Sequence, residues 1–291
     1  MKVVVLGVSG LIGHKLFQVL SQKFETFGTI RGVKKDYSHA PFFENKNIIE
    51  NVDAFNMKNM QRTLNEIDPD VVLNCIGITK RKKEINNHYK AIYVNSLFPH
   101  MLAEWSKKTN KRVIHFSTDC VFNGVDGDYT EDSNPNAEDM YGKTKALGEI
   151  NYNHTLTIRS SFVGRELFSH TEILDWFLLQ QSKVIKGYTD TLYTGVSTLV
   201  LSRIVSEIIE HHPRLCGLRQ LAIEKPVSKF DLLNIAKKSF DKKTEIIPDE
   251  NISIYANLNG KKLQKELAYE LPSWEVMMDE LANDELCDYG E

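Results

Sequence analysis

The run Lys2-Val3-Val4-Val5-Leu6, followed at once by Gly7-Val8-Ser9-Gly10-Leu11-Ile12-Gly13, constrains this chain more than any other stretch of it. An unbroken β-branched run reads as a strand buried on both faces, which is the habit of parallel sheets. Behind the glycines, Leu16, Phe17 and Leu20 fall at helical spacing. A glycine-rich turn between such a strand and helix lets backbone approach a pyrophosphate at the positive end of the helix. The spacing is GxxGxxG rather than GxGxxG, and a tight turn with no ligand is the plain alternative. The position of the turn, directly after a strand and before a helix, is the context that favours a dinucleotide over the plain turn.

The remainder of the chain alternates in the same way. The pattern predicts strands at 2–7, 25–30, 70–75, 111–116, 155–159 and 218–223, with a short one near 48–50. It predicts helices at 11–23, 57–66, 88–108, 141–152, 170–181, 197–211 and 228–239. Asp68-Pro69-Asp70 and His212-Pro213 read as helix stops, and Ser273 reads as the cap of a last helix. Such alternation predicts an α/β fold, a doubly wound parallel sheet with helices on both faces. The expected division is a core of residues 1–163, joined by about 191–239. A smaller lobe is expected from the separate segments 164–190 and 240–291.

A chain of 291 residues can bury a large core without cross-links. Its net charge of −3 does not suggest a nucleic-acid partner. Lys80-Arg81-Lys82-Lys83 is the only dense basic run, and it reads as a solvated loop. Cys75, Cys120, Cys216 and Cys287 are widely spaced and form no CxxC pair, so no metal is expected and a reducing cytoplasm fits them. No apolar stretch is long enough for a spanning helix, so no membrane partner is expected. The glycines and Lys15 interrupt any leader-like apolar run at the start.

Tyr141-Gly142-Lys143-Thr144-Lys145 carries the chemistry. Tyr141 and Lys145 stand four apart and share one face of a helix. An ammonium beside a phenol is expected to draw the phenol's pKa down from about 10, so that it exchanges a proton near neutrality. The hydroxyl of Thr118, in Ser117-Thr118-Asp119-Cys120-Val121-Phe122, can hold the carbonyl or alcohol that takes part. A helix that merely happens to space Tyr and Lys by four is the bland alternative.

With Asn74-Cys75-Ile76-Gly77, Asn95, Gly148-Glu149 and Arg159-Ser160-Ser161-Phe162-Val163-Gly164, these residues resemble the extended short-chain dehydrogenase/reductase family, in particular its nucleotide-sugar ketoreductases. The resemblance covers most of the chain and is looser in the last third. It implies a Rossmann-type sheet with a smaller C-terminal substrate-binding lobe. It also implies a reductase of a 4-keto sugar nucleotide in polysaccharide or deoxysugar synthesis, with a homodimer possible. By resemblance Tyr141 is the proton donor, Thr118 holds the oxygen, Lys145 also holds the nicotinamide ribose, and Asn95 supports a proton relay. Gly7, Ser9, Gly10, Leu11, Ile12, Gly13, Cys75, Ile76 and Gly77 would line the cofactor, with Asp53 and Ala54 at the adenine. Arg31 stands where NAD-preferring sites place a carboxylate, so NADPH is expected; an ordinary exposed arginine is the alternative.

Asp119, Cys120 and Phe162 would face the substrate. Cys120 replaces the glutamate of the dehydratases, which disfavours elimination. In epimerase-reductases a cysteine here works with a histidine that this chain lacks, although Glu166 could substitute. A non-catalytic NADP-binding regulatory subunit is the third reading, and the presence of both Tyr141 and Lys145 argues against it.

Overall fold

A computed structural model describes residues 1–37 and 40–285; Cys287 lies outside the described residues. In chain order the elements are β1 (Lys2–Leu6), α1 (Leu11–Leu20), β2 (Glu25–Thr29), β3 (Ile48–Ile49), α2 (Met57–Ile67), β4 (Val71–Asn74), α3 (His88–Ile92), α4 (Phe98–Thr109), β5 (Arg112–Ser117), α5 (Met140–Leu147) and β6 (Thr155–Arg159). They continue as β7 (Phe162–Val163), α6 (Ile173–Leu178), β8 (Val184–Tyr188), β9 (Leu192–Tyr193), β10 (Val196–Ser197), α7 (Thr198–His211), β11 (Gly217–Gln220), β12 (Val227–Ser228), α8 (Lys229–Ser239), β13 (Glu245–Asp249), α9 (Lys261–Leu267) and α10 (Trp274–Ala282).

Seven strands form one parallel sheet in the order β11-β6-β5-β4-β1-β2-β3. The expected doubly wound architecture is therefore present. Its strands feed two cores by alternation. Val3, Val5, Leu73, Ile114 and Phe116 pack with α1 and α7, while Val4, Leu6, Val72 and Val113 pack with α2 and α4. A two-residue period with apolar groups on both faces is what a sheet covered on both sides requires. Strand order reverses between β1 and β4, and the crevice outside their carboxyl ends is where ligands sit in open sheets of this kind.

Three expected helices differ in detail. The one expected over 88–108 is interrupted by a π-helical turn, Tyr93–Leu97, between α3 and α4. The one expected over 141–152 stops at Leu147, because Gly148 lies against the Asn95 carbonyl and the chain turns there. The one expected over 170–181 shrinks to α6, preceded by Ser169 and His170 in left-handed backbone (φ 71° and 45°).

Outside the large sheet, separated stretches of the chain pair with one another. β8 pairs with β13 in parallel, and β9 pairs with β12 antiparallel. α8, expected beside the large sheet, packs on β8, β13 and β12 and against α10. A strand-then-helix pattern fixes that β11 joins the sheet but does not fix which layer the next helix covers.

Candidate active site

The glycine turn at the end of β1 is built by close approach. Gly7 has φ 82°, and the amides of Gly7 and Val8 both donate to the Thr29 carbonyl, at 3.2 and 3.0 Å. A Cβ on Gly13 would stand 2.2 Å from the Gly7 carbonyl oxygen, so the first turn of α1 can lie on the loop only because Gly13 has no side chain. Gly10 heads α1 without a side-chain cap. The first-turn amides, including those of Leu11, Ile12 and Gly13, are therefore left to a ligand or water. A Cβ on Gly7 would meet Ile76, which brings the Cys75–Gly77 turn after β4 beside this loop. The observed cradle fits a dinucleotide pyrophosphate on the grounds the sequence supplied.

Beyond that cradle the outlying cofactor candidates divide. Arg31 is exposed just past β2 and makes no ion pair among the described residues. Asp53 Oδ1 accepts from the Phe55 amide at 2.9 Å, so its carboxylate orders the turn, and Ala54 is buried in the core. Cys75 is partly buried, and its thiol is pushed up by burial.

Tyr141 and Lys145 share a face of α5 beside the end of β5, as their spacing predicts. The Asp139 carboxylate caps the helix by accepting from Gly142 N–H at 3.0 Å. Their electrostatics differ from expectation. Burial pushes the Tyr141 phenol up, Cys120 adds to this, and the neighbouring Thr118 side chain opposes it. Lys145 does not pull the phenol down, because its Nζ is directed elsewhere: it donates to the Phe116 carbonyl at 2.7 Å and lies 3.3 Å from His115 Nε2. Burial lowers Lys145 to about 8, opposed by Glu149 and Cys75. Tyr141 is accordingly a protonated phenol, the form that a proton donor needs.

Asn95, expected as a relay residue, holds the loop after β4. Its Oδ1 accepts from Ile78 N–H at 2.8 Å, and its Nδ2 donates to the Ile78 carbonyl at 2.9 Å and to Thr144 Oγ1 at 3.2 Å. Behind Lys145, Asn74 Nδ2 lies 3.1 Å from His115 Nδ1. Glu149 takes two bonds from Arg159 and one from Ser117, each 2.7 Å, which fastens the end of α5 to β5 and β6. His115 was not singled out in the sequence, since a histidine inside an apolar strand reads as core, and Asn74 entered only as part of the run Asn74-Cys75-Ile76-Gly77.

On the other side, Thr118 is buried and donates to Asp119 Oδ1 at 3.0 Å, while Asp119 Oδ2 accepts from Ser161 Oγ. The Cys120 thiol is pushed up by burial and by Asp119. Glu166 is not its partner: the Glu166 carboxylate accepts from the Glu172 amide at 2.7 Å. His170 Nδ1 lies 3.0 Å from Asp175. Phe162 is partly buried and meets Phe116 edge-on at 6.2 Å.

Several residues facing this cluster were missed. Tyr193 on β9 has its phenol pushed up by burial, then by Asp119 and Cys120. Lys229 at the start of α8 faces Arg81, Asp119, Cys120 and Lys80. The basic run is exposed, as read from the sequence, and also borders the site, with Lys80 2.9 Å from Asp139 and Arg81 3.4 Å from Glu172. Sequence spacing carries no signal for a tyrosine and a lysine brought together by two-residue strands.

The chain is similar to several known proteins. A probable low-salt glycan biosynthesis reductase of Haloferax volcanii is 31% identical over 205 residues, which are 68% of this chain and 65% of that protein. The β subunit of methionine adenosyltransferase 2 of Xenopus tropicalis is 28% identical over 152 residues, 51% of this chain and 41% of that one. A dTDP-4-dehydrorhamnose reductase from Bacillus anthracis, solved in complex with NADP, superposes with a TM-score of 0.79 at 19% identity, covering 96% of this chain and 98% of that one. The model of the RmlD substrate-binding domain matches residues 1–287, and the chain belongs to that family.

Proposed function

We propose that this protein is an NADPH-dependent reductase of a 4-keto sugar nucleotide, of the dTDP-4-dehydrorhamnose reductase kind, acting in polysaccharide or deoxysugar biosynthesis. The observation that carries the reading is the cluster of buried Thr118 and Lys145 with half-buried Tyr141, beside a glycine cradle that admits no Cβ at Gly13. The nicotinamide supplies the hydride when bound. Tyr141 gives its proton to the sugar oxygen, Thr118 turns its hydroxyl from Asp119 to that oxygen as charge develops, and Lys145 holds the ribose. Gly7, Ser9, Gly10, Leu11, Ile12 and Gly13 cradle the pyrophosphate, Arg31 meets the 2′-phosphate, and Cys75, Ile76 and Gly77 pass beside the ring. The smaller lobe receives the sugar nucleotide.

Reduction proceeds without epimerisation in this reading, because Glu166 is engaged with Glu172 rather than with Cys120. The Haloferax reductase supports the reductase reading and the Bacillus anthracis complex the choice of NADP. The placement of Tyr141 and Lys145 on one face of α5 weighs against a non-catalytic NADP-binding subunit. A homodimer is part of the proposal, supported by exposed Ile92, Leu97 and Leu147 on neighbouring helical segments. A cytoplasmic setting is proposed because Cys75, Cys120 and Cys216 are all free thiols.

NADPH oxidation with dTDP-4-dehydrorhamnose and its UDP and GDP counterparts tests the proposal. Tyr141→Phe should lower turnover roughly 100-fold or more while NADPH still binds. A variant as fast as the parent would remove Tyr141 as the donor.

A further inference from the structure

Lys229 occupies an unusual position for an ammonium. It is the first residue of α8, placed by the Ser228 cap and by its own amide, which donates to the Thr191 carbonyl at 2.9 Å. The β9–β12 ladder sets Val227 opposite Tyr193, so Lys229 emerges beside that ring. Its Nζ lies 5.8 Å from the centre of Tyr193 and 5.9 Å from that of Tyr188. Among the described residues it has no carboxylate within ion-pair distance. Ring faces compensate a desolvated cation only in part. Burial, then Arg81, lowers its hold on a proton.

The surroundings concentrate charge of the same sign. Lys80 and Arg81 approach from the loop after β4. Each of those has an acid of its own, Asp139 and Glu172 respectively, whereas Lys229 has none. A cation without an acid of its own, set beside two further cations, marks a place where an anion completes the balance. The same cluster faces Asp119 and Cys120, next to the Thr118–Tyr141 pair that would hold the reacting carbonyl. In a sugar nucleotide the diphosphate lies one pyranose ring away from a carbonyl at C4.

We infer that Lys229, assisted by neighbouring Arg81, is the binding residue for the diphosphate of the sugar nucleotide. This rests on the reductase reading for the identity of the ligand but not for the existence of the site. With the cofactor site filled by saturating NADP+, dTDP and UDP should bind the full chain in calorimetric titration, and thymidine should not. Lys229→Met should weaken that binding tenfold or more, Lys229→Arg should stay within about threefold of the parent, and Arg81→Ala should lose about threefold to tenfold. NADP+ affinity and melting temperature should not move in Lys229→Arg or Arg81→Ala. Two results would overturn the inference: no nucleoside diphosphate binding at millimolar concentration, or binding unchanged in both Lys229→Met and Arg81→Ala. Should Lys229→Met fail to fold, Arg81→Ala and Lys229→Arg decide: equal affinity of Arg81→Ala and the parent overturns the inference, and a loss in Arg81→Ala with affinity kept in Lys229→Arg supports it. A chain that binds dTDP through Lys229 yet oxidises no NADPH keeps the site and discards the reductase.

Discussion

His14 sits wholly buried one turn into α1, its Nδ1 2.9 Å from the Gly10 carbonyl, and burial lowers its pKa from 6.5 to about 4. The folded protein therefore resists a proton that the unfolded chain accepts from about pH 6.5 downward. Stability is unaffected above that range and is lost as the pH falls from about 6.5 towards 4. Between pH 7 and pH 5 the loss from this residue comes to about 2 kcal/mol. Urea melts of His14→Asn, whose amide can still donate to Gly10, should show a shallower acid slope than the parent; parallel slopes would place the acid sensitivity elsewhere, for instance at buried His115. Arg31 offers a test of cofactor choice. Arg31→Asp should weaken NADPH tenfold or more and NADH much less, since it exchanges a phosphate partner for a repulsive charge. Fluorescence titration with both cofactors measures it, and equal losses would make Arg31 an ordinary surface residue.

Among the elements, the π-helical turn at Tyr93–Leu97 and Gly148 explain one another. The Asn95 carbonyl bulges from the helix at this turn, and a Cβ on Gly148 would come within 1.8 Å of it. Gly148→Ala must push α5 away from that turn, which loosens the Asn95 bonds to Ile78 and the seat of Lys145 together. We expect a loss of about 3 kcal/mol in chemical denaturation, the upper end of the usual cost of overpacking a core, because the clash is with backbone. An unchanged midpoint would show that α5 slides freely. Period-two and helical patterning made the seven sheet strands and both core helical layers legible, because each strand buries two faces and each helix one. The π turn was not legible: it depends on a carbonyl packing against a glycine some fifty residues away, for which local spacing has no symbol. Tyr141, Lys145 and the glycine cradle were legible because each acts within one turn of chain. Tyr193, Lys229 and the true partners of Lys145 were not, since only tertiary pairing brings them in, and the expected acidification of Tyr141 failed for the same reason.

At the scale of the whole molecule, the first helix is tied to the turn that follows the last one. Lys15 of α1, fully buried, forms an ion pair with Asp284, which follows α10. Removing a carboxylate that faces a buried ammonium costs about 3 kcal/mol or more, even where exchanging the whole pair for apolar groups would not. Asp284→Asn should therefore lower the melting temperature by several degrees, with roughly 2–4 °C expected per kcal/mol in a domain of this size. Thermal melts check this, and an unshifted transition would show that the pair contributes nothing to that tie.

The parallel ladder between β8 and β13 joins residues 184–188 to 245–249, with all of α7, β11 and α8 lying between them in the chain. A recombination event that imports one of these stretches from a relative leaves its partner strand behind and breaks the ladder. New ligand preferences in this lineage should therefore accumulate by point substitution rather than by cassette exchange. Laboratory chimeras will keep a working lobe only when both strands are carried over from the same parent.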